Sequence, residues 1–255
     1  MKIATWNVNS LRVRLPQVLD WLAHQGTDIL CLQETKMVDE EFPEREIRDA
    51  GYNVVYSGQK TYNGVAILSR THVRDAFAGI PGSDDPQRRV LVATVGRVRV
   101  VNVYVPNGQE VGSEKYRYKL EWLARLQDFL LTELGEHREL VLLGDFNIAP
   151  EDRDVHDPDL WRDEVLCSEK ERRALRSIMG IGLGDTFRKF DQEAETYTWW
   201  DYRAAAFRRN RGLRIDHILC SGPMYDRCIG CTVDKEPRKG ERPSDHAPLT
   251  AEFSD

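Results

Sequence analysis

The chain has 255 residues, of which 41% are hydrophobic and 31% are charged. This balance is that of a globular protein, and it excludes a disordered or collagen-like chain. No stretch approaches the ~18 consecutive apolar residues that a membrane span needs, so we expect no membrane partner and a cytoplasmic protein. A chain of this length can build a large core without disulfide bonds. We expect one domain spanning residues 1–255.

The charge balance argues mildly against a long polyanionic partner. Acids outnumber bases by 42 to 36, and the formal net charge is −6, whereas proteins that grip nucleic acid usually show a basic excess. A basic run nevertheless contains five arginines without an intervening acid: Arg203, Arg208, Arg209, Arg211 and Arg214. Taken alone, such a run indicates a solvated surface.

Five cysteines are present, an odd number that does not suggest a disulfide framework. Cys31 and Cys220 lie inside apolar runs, where a free thiol behaves as a small hydrophobic side chain. Cys228 and Cys231 form a lone C-x-x-C motif, and a zinc site would need a second pair of ligands. We therefore expect all of these cysteines to be structural.

Apolar runs of strand length recur along the chain. They are Lys2–Trp6, Asp28–Leu32, Asn53–Tyr56, Val65–Leu68, Val90–Val95, Val98–Val105, Leu140–Leu143, Ile215–Leu219 and Leu249–Phe253. Several are apolar at both odd and even positions, which is typical of strands buried on both faces.

Helical periodicity appears between these runs. One amphipathic stripe begins with Pro16 near its first turn and ends at Gly26, and a second, from Leu120 to Leu134, ends at Gly135. A third helix is predicted from an N-cap at Ser168, with Glu171 three residues later, to Gly180. The Asp-rich stretch between 150 and 167 is expected to be a surface loop. The pattern predicts an α/β fold with two packed sheets and helices on the outer faces.

Polar side chains stand at one end of six apolar runs. They occur in Asn7–Asn9, Gln33-Glu34, Asn102–Asn107, Asp145–Asn147, Asp216-His217 and Asp245-His246. An unpaired buried polar group costs several kcal/mol, so six such placements are unlikely to be accidental. If these ends meet, they form an oxygen-rich pocket with an imidazole.

Such a pocket suits one kind of chemistry. Carboxylate and amide oxygens prefer Mg²⁺ or Mn²⁺, whereas zinc favours clustered His and Cys. A hard cation beside an Asp and a His is suited to hydrolysis of a phosphate ester.

The motifs of the chain resemble those of the exonuclease III family of DNA-repair nucleases, within the wider endonuclease/exonuclease/phosphatase superfamily. The matching stretches lie at residues 6–12, 32–36, 104–108, 143–150, 211–216 and 243–248. They follow the family's order and cover nearly the whole chain. The resemblance implies a four-layer α/β sandwich of two packed mixed sheets flanked by helices. It also implies Mg²⁺ as cofactor, with Mn²⁺ able to substitute, and a monomer that would be nucleoid-associated in a bacterium.

The resemblance also assigns roles to individual residues. It implies that Glu34 binds the metal, with Asn7 beside it and Asp245 assigned to metal or to active-site hydrogen bonding. The implied catalytic residues are Tyr104 at the phosphate, Asp145 as activator of water, Asn147 and His246 as phosphate contacts, and Asp216 as the acid that orients His246. His217 has no counterpart in the pattern and is expected to be structural, because adjacent strand residues point to opposite faces.

Substrate recognition is implied more loosely. Trp199 resembles the family's aromatic wall for a sugar that lacks its base, with Leu213 and Ile215 completing an apolar lining. Trp200 is expected in the core. Asn107 is a neighbouring phosphate contact, and the basic run, represented by Arg203 and Arg211, is expected to contact the DNA backbone.

One feature at this pocket departs from some relatives, since position 213 is leucine where some carry tryptophan. The stretch from Val165 to Ser168, which includes Leu166, also presents medium or bulky side chains where the pocket edge is expected. We hypothesise that the pocket's shape sets the balance between cutting at internal abasic sites and trimming blocked 3′ ends.

The function these features predict is a metal-dependent phosphodiesterase of DNA repair. It would cut 5′ to abasic sites, or remove 3′ nucleotides and 3′-phosphates from duplex DNA. Two alternatives remain at this point: a phosphoesterase acting on another phosphate ester, and a catalytically silent nucleic-acid-binding regulator.

Overall fold

The computed structural model describes residues 1–255 and contains twelve strands and five α-helices. The strands are β1 (Lys2–Asn7), β2 (Ile29–Gln33), β3 (Asn53–Ser57), β4 (Val65–Ser69), β5 (Val73–Ala78), β6 (Val90–Val95), β7 (Val98–Tyr104), β8 (Leu140–Asp145), β9 (Leu183–Asp185), β10 (Asp216–Ser221), β11 (Cys228–Val233) and β12 (Leu249–Phe253). The helices are α1 (Leu11–Gln25), α2 (Glu44–Asp49), α3 (Glu114–Glu136), α4 (Glu169–Gly180) and α5 (Gly222–Arg227). None of these helices is long and apolar enough to cross a bilayer.

The strands form two mixed sheets of six strands each. Their orders are β11-β12-β1-β2-β4-β3 and β5-β6-β7-β8-β10-β9. Each sheet has one parallel pair, β1 with β2 and β7 with β8, and the other neighbours are antiparallel. Every residue of β2, β4, β6, β8 and β10 is buried. The central strands are therefore covered on both faces, as their unbroken apolar sequences predict.

Three apolar layers explain that pattern. Alternate residues of a strand point to opposite faces, so Ile29 and Cys31 enter the core between the sheets while Leu30 and Leu32 pack outward under α1 and α2. The second sheet packs its outer face against α3 and α4 in the same way. The predicted four-layer sandwich is confirmed. Cys220, Cys228 and Cys231 lie in the central layer as free, buried thiols, in agreement with the structural role expected for them.

The helix boundaries correct two predictions and agree with a third. α1 begins at Leu11, so Pro16 lies inside the helix, although Gly26 ends it in the left-handed conformation as expected. α3 runs to Glu136, so Gly135 lies within its last turn. The predicted start of α4 is correct: the Ser168 hydroxyl and the Glu171 carboxylate form a reciprocal capping box.

Five elements, namely β5, β9, β11, α2 and α5, have no counterpart among the sequence predictions. β9 has only three residues, β5 is largely exposed, β11 buries only part of its residues, and all three are edge strands. Such short or amphipathic segments acquire their structure from the neighbour with which they pair.

A buried amide bridge joins the two sheets close to one edge. The Gln33 amide donates to Asn102 Oδ1 at 2.7 Å, and Asn102 Nδ2 donates to the carbonyl oxygens of Leu32 and Ala66 at 3.0 and 2.9 Å. Asn102 was expected to belong to the polar pocket, but its side chain serves to hold the second sheet against the first.

Candidate active site

The polar strand ends converge at one edge of the sandwich. Asn7 pairs with Gln33 across parallel strands, and Tyr104 and Asp216 both pair with Asp145 in the second sheet. Parallel neighbours end at the same edge, so the register brings these side chains together. His246 joins them from the segment before β12, through a bridge to Trp199.

A buried Asp–His–Asp arrangement forms the centre. His246 Nδ1 lies 2.9 Å from Asp216 Oδ2, and His246 Nε2 lies 3.7 Å from Asp145 Oδ2. Burial alone would lower the pKa of His246, but the carboxylates of Asp216 and Asp145 outweigh it and raise that pKa to about 10. His246 is therefore an imidazolium at neutral pH, oriented by one carboxylate and facing the other across a gap.

The electrostatics of Asp145 are also unusual. Burial raises the pKa of Asp145 above its ordinary range, with the His246 cation opposing this shift and Asp216 adding to it. Asn7 Nδ2 donates to Asp145 Oδ2 at 2.8 Å, and the Asn147 amide N–H donates to Oδ1 at 2.9 Å. The carboxylate is thus held in a single orientation.

Glu34 forms the second acidic position. Asn7 Nδ2 also donates to Glu34 Oε1 at 2.8 Å, and Lys36 Nζ lies 2.7 Å from Glu34 Oε2. The amide nitrogen of Asn7 therefore bridges two carboxylates, while its Oδ1 accepts from the Asn9 N–H. For Asn7 to offer oxygen to a cation, its amide would have to turn over.

The predicted phosphate contacts flank Asp145 on the other side. Asn147 Nδ2 donates to the Val105 carbonyl at 3.0 Å, and Asn107 Nδ2 donates to Asn147 Oδ1 at 3.2 Å. Burial raises the pKa of Tyr104 well above its ordinary value, and the carboxylates of Glu34 and Asp145 add to this shift. Tyr104 is therefore a neutral hydrogen-bond donor at this centre.

Four of the sixteen non-glycine residues with positive φ angles lie around these side chains. Asn9, Glu34, Lys36 and Asn147 have φ angles of 43°, 53°, 54° and 50°, in the left-handed region that non-glycine residues seldom occupy. Such residues cost about 1–3 kcal/mol each and persist where the surroundings fix them. At these four positions the left-handed backbone presents acidic, amide and ammonium groups to the centre.

Asp245 stands outside the closest acidic group. Its two carboxylate oxygens accept from Asn9 Nδ2 at 2.9 Å and from Trp199 Nε1 at 3.0 Å. Burial would raise the pKa of Asp245, but the His246 cation and these two donors hold it below its ordinary value. Its role as a metal ligand stays a prediction.

Trp199 and its predicted partners form a compact apolar cluster. Trp199 packs against a group that contains Leu213, Ile215 and Leu166, which are 0%, 1% and 4% exposed. Trp200 is buried in a neighbouring cluster, in agreement with the expectation. The predicted lining residues thus pack together, and Leu166 of the surface loop packs with them.

The arginine run divides into two parts. Arg203, Arg208, Arg209 and Arg211 are exposed, and Arg203 is paired with Asp201. Arg214 is 0% exposed and bridges Asp154 and Asp185. Arg214 was expected to belong to the basic surface, and this was wrong because its side chain points inward, just before β10, to the buried carboxylates of Asp154 and Asp185.

His217 belongs to this same buried network. Its Nδ1 lies 3.1 Å from the Arg214 guanidinium, and its Nε2 lies 2.9 Å from the Ile148 carbonyl. It points away from Asp216, as strand alternation predicts. Burial, followed by the Arg214 cation, lowers the pKa of His217 to about 4.

This shift makes stability pH-dependent. His217 is neutral in the folded protein down to about pH 4, whereas in the unfolded chain its pKa is near 6.5. Because the unfolded state binds the extra proton between those values, the free energy of unfolding should fall by about 3 kcal/mol as the pH drops through this window. Urea denaturation from pH 7.5 to 4.5 measures the fall. In His217→Gln we expect a clearly shallower fall, and parallel curves for the two proteins would contradict the assignment.

An open cleft adjoins the centre on the side opposite the Trp199 cluster. Its volume is about 590 Å³, and its lining includes Glu34, Tyr104, Asn107, Arg89 and Lys115. The Arg89 guanidinium lies 4.7 Å from the Tyr104 ring centroid and donates to the Tyr104 carbonyl at 3.1 Å. Sequence reasoning gave no role to Arg89, Lys115, Asn9 or Lys36, although the last two lie inside the quoted motifs.

The donor set fits a hard divalent cation. Ligand atoms of Glu34, Asp145 and His246 all lie within 4.8 Å of one another. Carboxylate oxygens suit a hard cation better than an imidazole nitrogen does, so Glu34 is the group that would hold the ion, with Asp145 beside it. Four carboxylates here, including Asp216 and Asp245, outnumber the neighbouring cations Lys36, His246 and Arg238. The excess negative charge and the oxygen donors match Mg²⁺ or Mn²⁺.

The fold and the site together define a class: an α/β sandwich hydrolase of phosphate esters, with an acidic cation site beside an imidazolium. The chain belongs to the Endonuclease/Exonuclease/phosphatase family, whose sequence profile matches residues 4–246.

Three relatives illustrate the similarity. Exodeoxyribonuclease III of Haemophilus influenzae is 36% identical, with 99% of this chain and 100% of the relative aligned. Among solved structures, the 3′ phosphatase NExo from Neisseria, bound to a product DNA hairpin, is 52% identical with a TM-score of 0.98 over 100% of both chains. An AP endonuclease from Archaeoglobus fulgidus is 42% identical with a TM-score of 0.96, again over 100% of both chains.

Proposed function

We propose that this protein is a metal-dependent DNA-repair nuclease of the exodeoxyribonuclease III type. It acts on 3′ ends of duplex DNA, removing 3′-phosphates and 3′ nucleotides in preference to cutting at internal abasic sites. The observation that carries the proposal is the Asp145–His246–Asp216 centre with a closed apolar cluster beside it. Mg²⁺ is the proposed ion, and a cytoplasmic monomer is the proposed form.

Each residue at the centre has a separate task in hydrolysis. Asp145, held by Asn7 and Asn147, orients the attacking water and accepts its proton. His246 is fixed by Asp216, and its Nε2 lies 3.7 Å from Asp145 Oδ2. From there its positive charge stabilises the negative charge that develops on the phosphoryl oxygens. Asn147 and Tyr104 donate hydrogen bonds to the same phosphate. When bound, a divalent cation supplies Lewis-acid polarisation of the ester and neutralises the acidic cluster.

The preference for 3′ ends follows from the apolar cluster beside Trp199. We call the part of it formed by Leu213, Ile215 and Leu166 the Leu166 wall. An abasic sugar needs an open apolar pocket, but Leu213, Ile215 and Leu166 fill this space with side chains that are at most 4% exposed. Leu166 has a φ of 76° and is held by hydrogen bonds at both its N–H and its carbonyl. A terminal phosphate has no sugar beyond it and requires no such pocket.

The charge of the adjoining loop supports the same preference. Exposed residues between 151 and 164 include six acids against two arginines. This loop packs on the site through Trp161, whose ring contacts Trp199 edge-on at 6.4 Å. A DNA backbone that continued past the scissile phosphate would meet this negative surface, whereas a 3′ end would not.

A cleavage assay on two labelled duplexes tests the proposal. One duplex carries a 3′-phosphate at a nick and the other an internal abasic site, each assayed with Mg²⁺ and with EDTA. We expect Mg²⁺-dependent release of the 3′-phosphate and at least a tenfold slower cut at the abasic site. The reverse order would make the chain an AP endonuclease, the second candidate, which the 42% identity to the Archaeoglobus enzyme favours. DNA binding without cleavage would revive the silent regulator, and neither binding nor cleavage would favour a non-DNA ester.

Opening the wall should change the preference. We expect Leu166→Gly to raise the rate at the abasic site about tenfold relative to 3′-phosphate removal, because it vacates the apolar cluster. Glycine adopts the local φ of 76° without strain, so the loop should keep its path.

Leu160→Gly is the matched control, since Leu160 lies in the same loop but is 67% exposed. It should leave the ratio of the two rates unchanged. If Leu166→Gly also leaves the ratio of the abasic-site rate to the 3′-phosphate rate unchanged, Leu166 does not determine the preference.

A further inference from the structure

A lysine without contact to solvent lies behind the phosphate-binding asparagines. Lys119 of α3 is 0% exposed, and its Nζ donates to the Asn107 carbonyl at 3.0 Å and to the Asn147 carbonyl at 2.6 Å. Its third donor binds Glu171 Oε1. All three donors of the ammonium group are thus used, two of them on the backbone of predicted phosphate contacts.

Its partner Glu171 is equally buried and binds the backbone of the segment that carries Leu166. Glu171 Oε1 also accepts the Leu166 N–H at 3.1 Å, and Oε2 accepts the Ser168 N–H at 3.2 Å. One ion pair therefore joins three backbone segments: the loop after β7, the start of the loop after β8, and the end of that loop where it enters α4.

Stability alone does not account for a charged pair at this place. A buried ion pair loses its hydration, and an apolar pair of similar volume is often as stable or more so. The capping box at Ser168 could be completed by a neutral glutamine. Lys119 donates hydrogen bonds to the backbone carbonyls of Asn107 and Asn147, which an apolar residue could not do.

These carbonyls belong to a strained part of the backbone. Asn147 has a φ of 50°, and its conformation is held by Asp145 at the N–H and by Lys119 at the carbonyl. Leu166, at 76°, is held by Glu171 in the same manner. Lys119 and Glu171 thus fix two left-handed backbone conformations, one of them at a predicted phosphate contact.

We propose that Lys119 and Glu171 are positioning residues, which fix the backbone of Asn107 and Asn147 against the scissile phosphate and couple that geometry to the Leu166 wall. The inference rests on the proposed function, because it assigns the pair a part in the same hydrolysis. Neither residue touches substrate.

Lys119→Met and the double variant Lys119→Met/Glu171→Gln separate positioning from stability. In Lys119→Met the unpaired carboxylate should lower the denaturation midpoint, and displaced asparagines should reduce kcat about 10- to 100-fold. We expect KM to change less than about threefold, since Lys119 does not contact DNA. The double variant removes the unpaired charge, so the midpoint should recover while kcat stays low. Recovery of kcat together with the midpoint would reduce the pair to a structural role and overturn the proposal.

The pair Arg99–Glu133 provides a matched control at the other end of the fold. It is buried to a similar degree, with side chains 5% and 7% exposed, and Arg99 also donates to a backbone carbonyl, that of Asp75. It lies at the start of β7, whereas Tyr104 ends that strand. Arg99→Met should lower the midpoint and leave kcat within about twofold of the wild type. An equal loss of kcat in this control would also contradict the inference.

Both the 3′-phosphate and the abasic duplex are used, because the same asparagines hold the phosphate whichever ester is cut. A wild-type protein that prefers the abasic site contradicts the proposed function and leaves this comparison intact. A wild-type protein inactive on both duplexes would overturn both proposals.

Discussion

Replacing Asp145 by asparagine is expected to reduce kcat about a thousandfold, within the range found for the loss of a group that transfers protons. The amide cannot accept the proton of the attacking water. In the wild type Asn7 Nδ2 donates to Asp145 Oδ2 at 2.8 Å. The substitution puts a second N–H₂ donor at that position, so this hydrogen bond is lost. Loss of this carboxylate also removes one of the two main charges that raise the pKa of His246. Rates of 3′-phosphate release under single-turnover conditions give the measurement.

The fold should survive this change, because Asn retains an oxygen to accept the Asn147 N–H. Removal of a buried carboxylate whose pKa is raised stabilises the fold, and loss of the hydrogen bond from Asn7 opposes this gain, so the denaturation midpoint should change little. Asp234→Asn is a suitable control, since Asp234 accepts from Trp21 Nε1 at 2.8 Å on α1 and touches no residue of the centre. A rate within tenfold of the wild type in Asp145→Asn would refute the assignment of the proton acceptor.

His246→Ala is the second change with a large expected effect. We expect kcat to fall by about 10²- to 10³-fold, because the imidazolium stabilises charge that is greatest in the transition state. Affinity for DNA should fall less than about threefold, since backbone contacts are spread over a wide surface. Single-turnover rates and equilibrium binding to a 3′-phosphate duplex, measured in Ca²⁺ to suppress cleavage, separate the two effects.

His217→Gln is the matched histidine control. His217 is also buried, but burial and the Arg214 cation lower its pKa to about 4, and it faces Ile148 rather than the phosphate. Its substitution should leave kcat within about twofold of the wild type while changing the pH dependence of stability. Equal losses of kcat and affinity in His246→Ala would indicate that His246 serves only in binding.

Most of the layered fold could be predicted from the sequence. Runs such as those of β2 and β8 are apolar at both odd and even positions, and this pattern is typical of a strand that is covered on both faces. The local capping signals were equally readable, since Ser168 and Glu171 satisfy each other within one turn. The positions of Asp145, Asp216 and His246 followed from ordered motifs at strand ends. Edge strands such as β11 could not be predicted, because their pairing partner, not their own sequence, determines their structure.

Other features of the site depended on residues far apart in the sequence. No local pattern separates Arg214, which is buried, from the exposed Arg211 three positions earlier. Lys119 and Glu171 meet across 52 residues, and only their shared burial makes the pair recognisable. Leu166 closes the apolar cluster only because the loop after β8 folds back on Ala149.

The sequence by itself therefore determined the layers, the family motifs and the identity of the acidic centre. The tertiary structure decided which charges are buried, that the pKa of His246 is raised while that of His217 is lowered, and that Leu166 packs into the cluster beside Trp199. The physical reason is that periodicity and capping act within a few residues. Desolvation and ion pairing instead depend on which distant segments the fold brings within a few ångströms of each other.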